Sequence, residues 1–231
     1  MATTDTNETS AQAKFKIVQL TVGELAENCY LFINEQTKEG FIVDPGDEAS
    51  RIGVRVAHEQ MTPKAILLTH GHFDHFLAAD ELAKRYEIPI LIHEADAALL
   101  EDPNGNLALP FFGMRSTLKA DRTFADGEVL SLAGYDFKVI HTPGHTRGSA
   151  CFYQEELGIC FSGDTLFCES LGRTDFPGGS VKDIVASICK RLLLALPEDT
   201  VVYPGHNEQT TIEHEKKYNP TVPYLARFTK D

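Results

Sequence analysis

The stretch "THGHFDH", Thr69 to His75, places three histidines and an aspartate within six positions, beginning at His70. It follows the apolar run "AILL" at 65–68 and precedes the amphipathic pattern "HFLAADELAKRY" at 75–86, so it reads as the end of a strand turning into a helix. Side chains two apart on extended backbone share a side, so His70 and His72 can face one ion. Asp74 and His75 fall where the helix is expected to begin and can face another.

Other strands end the same way. "FIV" runs into Asp44-Pro45-Gly46, "FKVI" into His141-Thr142-Pro143-Gly144-His145, "GICFS" into Gly163-Asp164, and "TVVY" into Pro204-Gly205-His206. Loops at the carboxyl ends of strands are where α/β proteins assemble their sites, and glycines let such loops converge closely. Further short apolar runs, "FKIVQLTV", "CYLFI", "IPILIH" and "ACFYQ", complete the strand inventory. A second helix is expected over 180–196, where Ser180 and Asp183 can form its N-terminal cap. Consecutive hairpin-like strands in each half, with helices between some of them, predict an α/β fold with two mixed sheets rather than one doubly wound sheet.

Composition narrows the function. At 231 residues, 42% hydrophobic and 24% charged, the chain can bury a sizeable core. Residues 1–14 read as a frayed, flexible leader, polar and without the apolar run of a signal or membrane span, and 15–231 read as one domain. A formal net charge of −13 repels phosphate backbones and anionic headgroups, so neither nucleic acid nor membrane is an expected partner and a small molecule is. The five cysteines are odd in number and form no C-x-x-C pair, which fits reduced thiols in a cytoplasmic protein. Cys168, four residues past Asp164, is a weak candidate nucleophile; a buried free thiol is the commoner case.

Structural zinc closes with cysteine-rich sets, whereas catalytic metals take histidines and carboxylates and keep a position open for water. This chain offers the second kind. His70 and His72 would be completed by His145 at one site, Asp74 and His75 by His206 at the other. Asp164 can bridge, since a carboxylate has two oxygens and offsets two cations. Asp44 is either a turn residue or a group orienting a ligand histidine. His141 suits packing or support of a ligand better than ligation, and His58, His93 and His214 read as ordinary core or surface histidines.

In order along the chain, "HGHFDH", "TPGH", "SGDTLF" and "YPGH" resemble the metal-binding motifs of the metallo-β-lactamase superfamily, from about residue 15 to 210. The resemblance implies an αββα sandwich with a dinuclear site at one edge of the sheets, holding two divalent ions, zinc ahead of iron or manganese. "NCYLF", "VDPG", "HTPGHT" and "LGRTDFPGG" are similar to the short glyoxalase II-like thioesterase branch, the hydroxyacylglutathione hydrolase type. The chain departs from full-length glyoxalase II at its C-terminus, where only about 25 residues follow His206 in place of a helical glutathione-binding domain.

The expected activity is hydrolysis of a small thioester by a water activated between two cations, with Asp74 and Asp164 holding those cations. A thiolate leaves without help from a protein acid, and no such acid stands out. Arg173 could pair with a carboxylate of the thiol carrier or form a surface ion pair. Residues 104–117, mixing Pro, Gly and aromatics, could form a loop over the site. Competing readings are a mononuclear iron persulfide dioxygenase, whose members share a "GRTDF" stretch, and a lactonase or β-lactamase-like hydrolase. "YPGH", which supplies His206, favours the dinuclear hydrolase.

Overall fold

A computed structural model describes residues 15–228; the leader expected over 1–14 lies outside the described residues. Six strands form the first sheet in chain order: β1 (Phe15–Val22), β2 (Glu27–Asn34), β3 (Glu39–Val43), β4 (Thr62–Leu67), β5 (Ile90–His93) and β6 (Arg122–Phe124). The first three pair antiparallel, and β3 to β6 pair parallel. The second sheet contains β7 (Val129–Leu132), β8 (Tyr135–His141), β9 (Ala150–Gln154) and β10 (Ile159–Gly163). A small hairpin, β11 (Leu166–Phe167) and β12 (Ser170–Leu171), follows; β13 (Val201–Pro204) and β14 (Thr210–Thr211) then join the second sheet, in the order β14-β13-β10-β9-β8-β7. Only β10 and β13 run parallel there, so both sheets are mixed, as the sequence predicts.

Strand β2 shows why the sheets stack. It is buried along its whole length, and its alternating residues serve two cores. Cys29, Leu31 and Ile33 face helices α1 (Ala49–His58) and α2 (Ala79–Tyr86) through Ile52, Val56 and Leu82. Tyr30 and Phe32 face the second sheet, where the Phe32, Phe41 and Phe137 rings meet edge to face at 5.1 and 4.9 Å. Such ring pairs contribute about 0.5–1.5 kcal/mol each beyond the area they bury. Two short helices, α3 (Ala97–Leu100) and α4 (Ala108–Phe112), follow β5. The outer face of the second sheet is covered by α5 (Val181–Ala186), its π-helical continuation Ser187–Leu193, and α6 (Ile212–Tyr218), through Ile184, Ile188, Leu192 and Ile212. The result is the αββα layering.

The expected helix at 75–86 starts later. Phe73–His75 form a 3₁₀ turn, and α2 begins only at Ala79, because the Ala78 N–H donates to Pro45 O at 3.0 Å instead of continuing a helix back into the histidine loop. Ser180 caps α5 as expected, its hydroxyl accepting from the Asp183 N–H at 3.2 Å, but the regular α-helix ends at Ala186 and the rest is π-helical. No helix among the described residues is long and apolar enough to cross a membrane.

Candidate metal centre

All seven expected ligands meet at one edge of the sandwich, where β4, β8, β10 and β13 end. His70, His72 and His145 form one cluster: His72 Nδ1 lies 3.1 Å from His70 Nε2 and 2.9 Å from His145 Nε2. Asp74, His75 and His206 form a second, with His206 Nε2 3.5 Å and His75 Nε2 3.9 Å from Asp74 Oδ2. Asp164 lies between them. Its Oδ2 is 3.5 Å from His145 Nε2 and 3.7 Å from His206 Nε2, and its Oδ1 is 3.4 Å from His75 Nε2. Ligands about 2.1 Å from a common ion stand roughly 3–4 Å apart, so these spacings suit cations.

Hydrogen bonds behind the rings decide which nitrogens carry protons. His145 Nδ1 lies 2.7 Å from the Arg173 carbonyl, which only accepts, so His145 Nδ1 donates and its Nε2 presents a lone pair inward. The Thr69 hydroxyl donates to Asp44 Oδ2 at 2.6 Å, leaving its lone pairs to accept from His70 Nδ1 at 3.1 Å. His75 Nδ1 donates to Asp44 Oδ2 at 3.0 Å. Lone pairs therefore converge from three elements. His75 Nε2 and Asp164 Oδ1, 3.4 Å apart, are buried with no hydrogen bond among the described residues, which is costly unless a cation completes them. The donor set and its orphaned atoms fit two metal ions.

Electrostatics divides the clusters. Burial, reinforced by the His75, His145 and His72 rings, drives His70 well below the ordinary histidine range; burial and His145 bring His72 down to about 3. Burial also opposes charge on His75 and His206, but the surrounding carboxylates outweigh it, Asp164 first, and raise both. Burial pushes Asp164 up, yet the His75 and His206 charges hold its carboxyl well below the usual range.

Four supporting residues escape the strand-end pattern. Asp96, buried, accepts from the Gly71 N–H at 3.0 Å, the Thr146 hydroxyl at 2.6 Å and the Gly148 N–H at 2.7 Å, stapling the His70/His72 loop to the His145 loop. Its strand runs into Glu94-Ala95-Asp96 without the Gly or Pro that marks the other site loops. The Asn28 side chain donates to Pro204 O at 3.2 Å and Asn207 O at 2.8 Å, and the Tyr30 hydroxyl to Pro204 O at 2.7 Å, holding the His206 loop on the first sheet. Glu27 is buried with both oxygens unpartnered, and burial raises its pKa well above the ordinary range. Only their places on the inward end of a buried strand could have flagged Glu27, Asn28 and Tyr30. Two glycines are required by close approach: a Cβ on Gly46 would strike Asp74 O and come within 2.6 Å of Glu27 Oε2, and one on Gly205 would strike Asp164 Oδ1 and come within 2.7 Å of His75 Cε1.

The remaining candidates are also placed. Asp44 is the orienting carboxylate rather than only a turn residue. His141 stacks on His93 at 4.1 Å, its Nε2 donating to Arg147 O, so it packs rather than ligates. The Cys168 thiol is pushed up by burial and Glu215, the opposite of what a nucleophile needs. Arg173 lines the cavity over the clusters, but its fork is filled by Asp175, Nε to Oδ1 at 3.0 Å and Nη2 to Oδ2 at 2.8 Å, and its Cζ sits 4.2 Å above the Phe176 ring. The 104–117 segment carries α4 and contributes Leu107 and Phe111 to the same cavity, about 250 Å³.

A family model described as the metallo-beta-lactamase superfamily matches residues 22–206. The chain is 37% identical to the hydroxyacylglutathione hydrolase GloC of Haemophilus influenzae, over 87% of this chain and 95% of that one. Its structure is similar to that of the BLEG-1 B3 metallo-beta-lactamase, with a TM-score of 0.85 at 39% identity over 91% of this chain and 99% of that one. It is similar also to TTHA1623 in a di-iron-bound form, TM-score 0.76, at 38% identity over 88% and 98%. With a match across every loop that carries a candidate ligand and the αββα layering, the chain belongs to the metallo-beta-lactamase superfamily.

Proposed function

We propose that this metallo-hydrolase cleaves thioesters of a small thiol carrier, with one cation held by His70, His72 and His145, a second by Asp74, His75 and His206, and Asp164 shared between them. The observation that carries the reading is Asp164, whose Oδ2 stands 3.5 Å from a histidine of one cluster and 3.7 Å from a histidine of the other. When bound, two such cations make a nucleophilic water available near neutral pH and polarise an acyl carbonyl. The chain's residues do the rest. Asp44 and the Arg173 carbonyl hold the ring protons on the outer nitrogens of His75 and His145, keeping the inner nitrogens free to ligate. Asp96, Asn28 and Tyr30 fix the loops, so the ligands are preorganised.

Thioesters suit this lining better than amides. Apart from the candidate ligand histidines and carboxylates, the cavity presents Arg173 and apolar side chains among the described residues, hence no separate acid there to protonate a departing amine. A thiolate leaves unprotonated. The name of the Haemophilus relative, a hydroxyacylglutathione hydrolase, supports the same class. His206, within 3.5 Å of Asp74, completes a second cluster that a mononuclear oxygenase has no use for. The test is to load the protein separately with zinc, iron and manganese, count the ions by elemental analysis, and assay a thioester, a lactone, a β-lactam and a persulfide with oxygen monitored. Two ions per chain with preferential thioester cleavage and no oxygen uptake is expected. One ion with persulfide-dependent oxygen uptake would overturn it.

A further inference from the structure

Two clefts share Leu25, Phe73 and Asp74 as their partition; one opens over the clusters and the other reaches them only at Asp74. Above the floor of histidines and carboxylates, the first is walled by Leu25, Phe73, Leu107, Phe111, Phe167 and Phe176. Phe111 and Phe176 stand edge to face at 5.7 Å, and Phe176 also meets the His72 ring at 5.7 Å, so an apolar wall comes directly down to the cluster. Phe111 is 50% exposed and Leu25 is 43% exposed, an apolar rim left facing water at the mouth of a polar site. Beside the candidate ligand Asp74, the second cleft carries the carboxylates of Glu24 and Asp47 and, among the described residues, no lysine, arginine or histidine. Arg173, the one cation at the first cleft among the described residues besides the histidines, is already paired with Asp175 and stacked on Phe176. Away from the clusters themselves, neither lining offers an anionic carrier an unpaired cation among the described residues, and the wall beside the reacting carbonyl is apolar.

Resting on the thioesterase reading, we infer that the site selects thioesters by a compact apolar acyl group, such as an aromatic or branched one, packed between Phe111 and Phe176, on a carrier arm without net negative charge. Lying in the same cavity as the clusters, the aromatic wall receives the substituent of the carbonyl itself. The carrier then crosses the partition into the acidic cleft, where a carboxylate-bearing thiol meets like charge.

The test crosses two acyl groups with two carriers on the metal-loaded protein: acetyl and phenylacetyl thioesters of glutathione and of N-acetylcysteamine. The phenylacetyl group is expected to raise kcat/KM about tenfold or more over acetyl on either carrier, as apolar pockets discriminate. The N-acetylcysteamine thioester is expected to be cleaved at least as well as the matching glutathione thioester. Phe111→Ala should shrink the phenylacetyl-to-acetyl ratio severalfold. Equal rates for the two acyl groups, or a tenfold advantage of glutathione, would overturn the inference while leaving the thioesterase reading intact. A readout without turnover separates the two: calorimetric binding of phenylacetate against acetate, which share the carboxylate and differ only in the ring. Tighter phenylacetate binding with no cleavage of any thioester would remove the thioesterase reading and keep the apolar pocket; equal binding would remove the pocket.

Discussion

Lowering the pH should strip the two clusters of metal unequally. A cation binds an imidazole only in its unprotonated form, so a histidine that holds its proton must release it first. In the metal-free chain His75 and His206 have raised pKa values, held up against burial by Asp164 and their other carboxylate neighbours. Each is charged below its raised pKa, and each proton displaced costs about 1.4 kcal/mol more per unit fall in pH. Affinity at the Asp74, His75 and His206 cluster should therefore fall by up to about a hundredfold per pH unit below both values, or up to ten-thousandfold over two units. His70 and His72 behave in the opposite sense. Burial and their neighbouring rings lower both, His72 to about 3, so neither has a proton to release in the working range. The assay is calorimetric titration of metal-free protein with zinc in two buffers of different ionisation enthalpy, which counts protons released with each ion. The second equivalent should release more protons than the first, up to two, and the protein should become half-loaded as the pH falls. Equal proton release for both equivalents, or a second ion that binds with none, would refute the electrostatic division.

Asp164→Ala should abolish binding at the second cluster and weaken the first, since both lose the shared carboxylate, and with it thioester turnover; elemental analysis after gel filtration reads this, and two tightly held ions would contradict it. Asp96→Ala leaves two buried N–H groups and a hydroxyl without their acceptor, a destabilisation of about 2–5 kcal/mol visible in urea unfolding of the metal-free protein. Asp96→Asn, which keeps an acceptor oxygen, should recover part of that and bind the first zinc more weakly than the parent. Arg173→Ala should raise KM for a carboxylate-bearing thioester by only about two- to fivefold with kcat unchanged, because any substrate carboxylate must displace Asp175 from an exposed pair; an unchanged KM for every thioester cleaved would leave the arginine with no part in binding.

The candidate ligands were legible because their chemistry is local. His70 and His72 alternate on extended backbone, and each downstream histidine or aspartate follows an apolar strand and a turn residue, so each reads as a strand-end group, while their meeting at one edge is what the family resemblance implies. The two mixed sheets were legible from consecutive hairpin-like strands in each half, whereas the burial of Cys29 to Ile33 on both faces emerged from the structure. What pattern cannot carry is contact between segments remote in the chain. Asp96 reaches Thr146 across 50 positions and Asn28 reaches Asn207 across 179, and nothing in either local sequence names the partner. The start of α2 was likewise decided from outside, by the Pro45 carbonyl taking the Ala78 N–H. Arg173 shows the limit most plainly: the sequence left it between a substrate contact and a surface ion pair, and only the folded loop shows Asp175 in its fork and Phe176 beneath it. Residue type and spacing determined which groups could bind metal; tertiary packing determined which protons they hold, what fixes them, and how apolar the cavity above them is, because those depend on neighbours that only folding brings together.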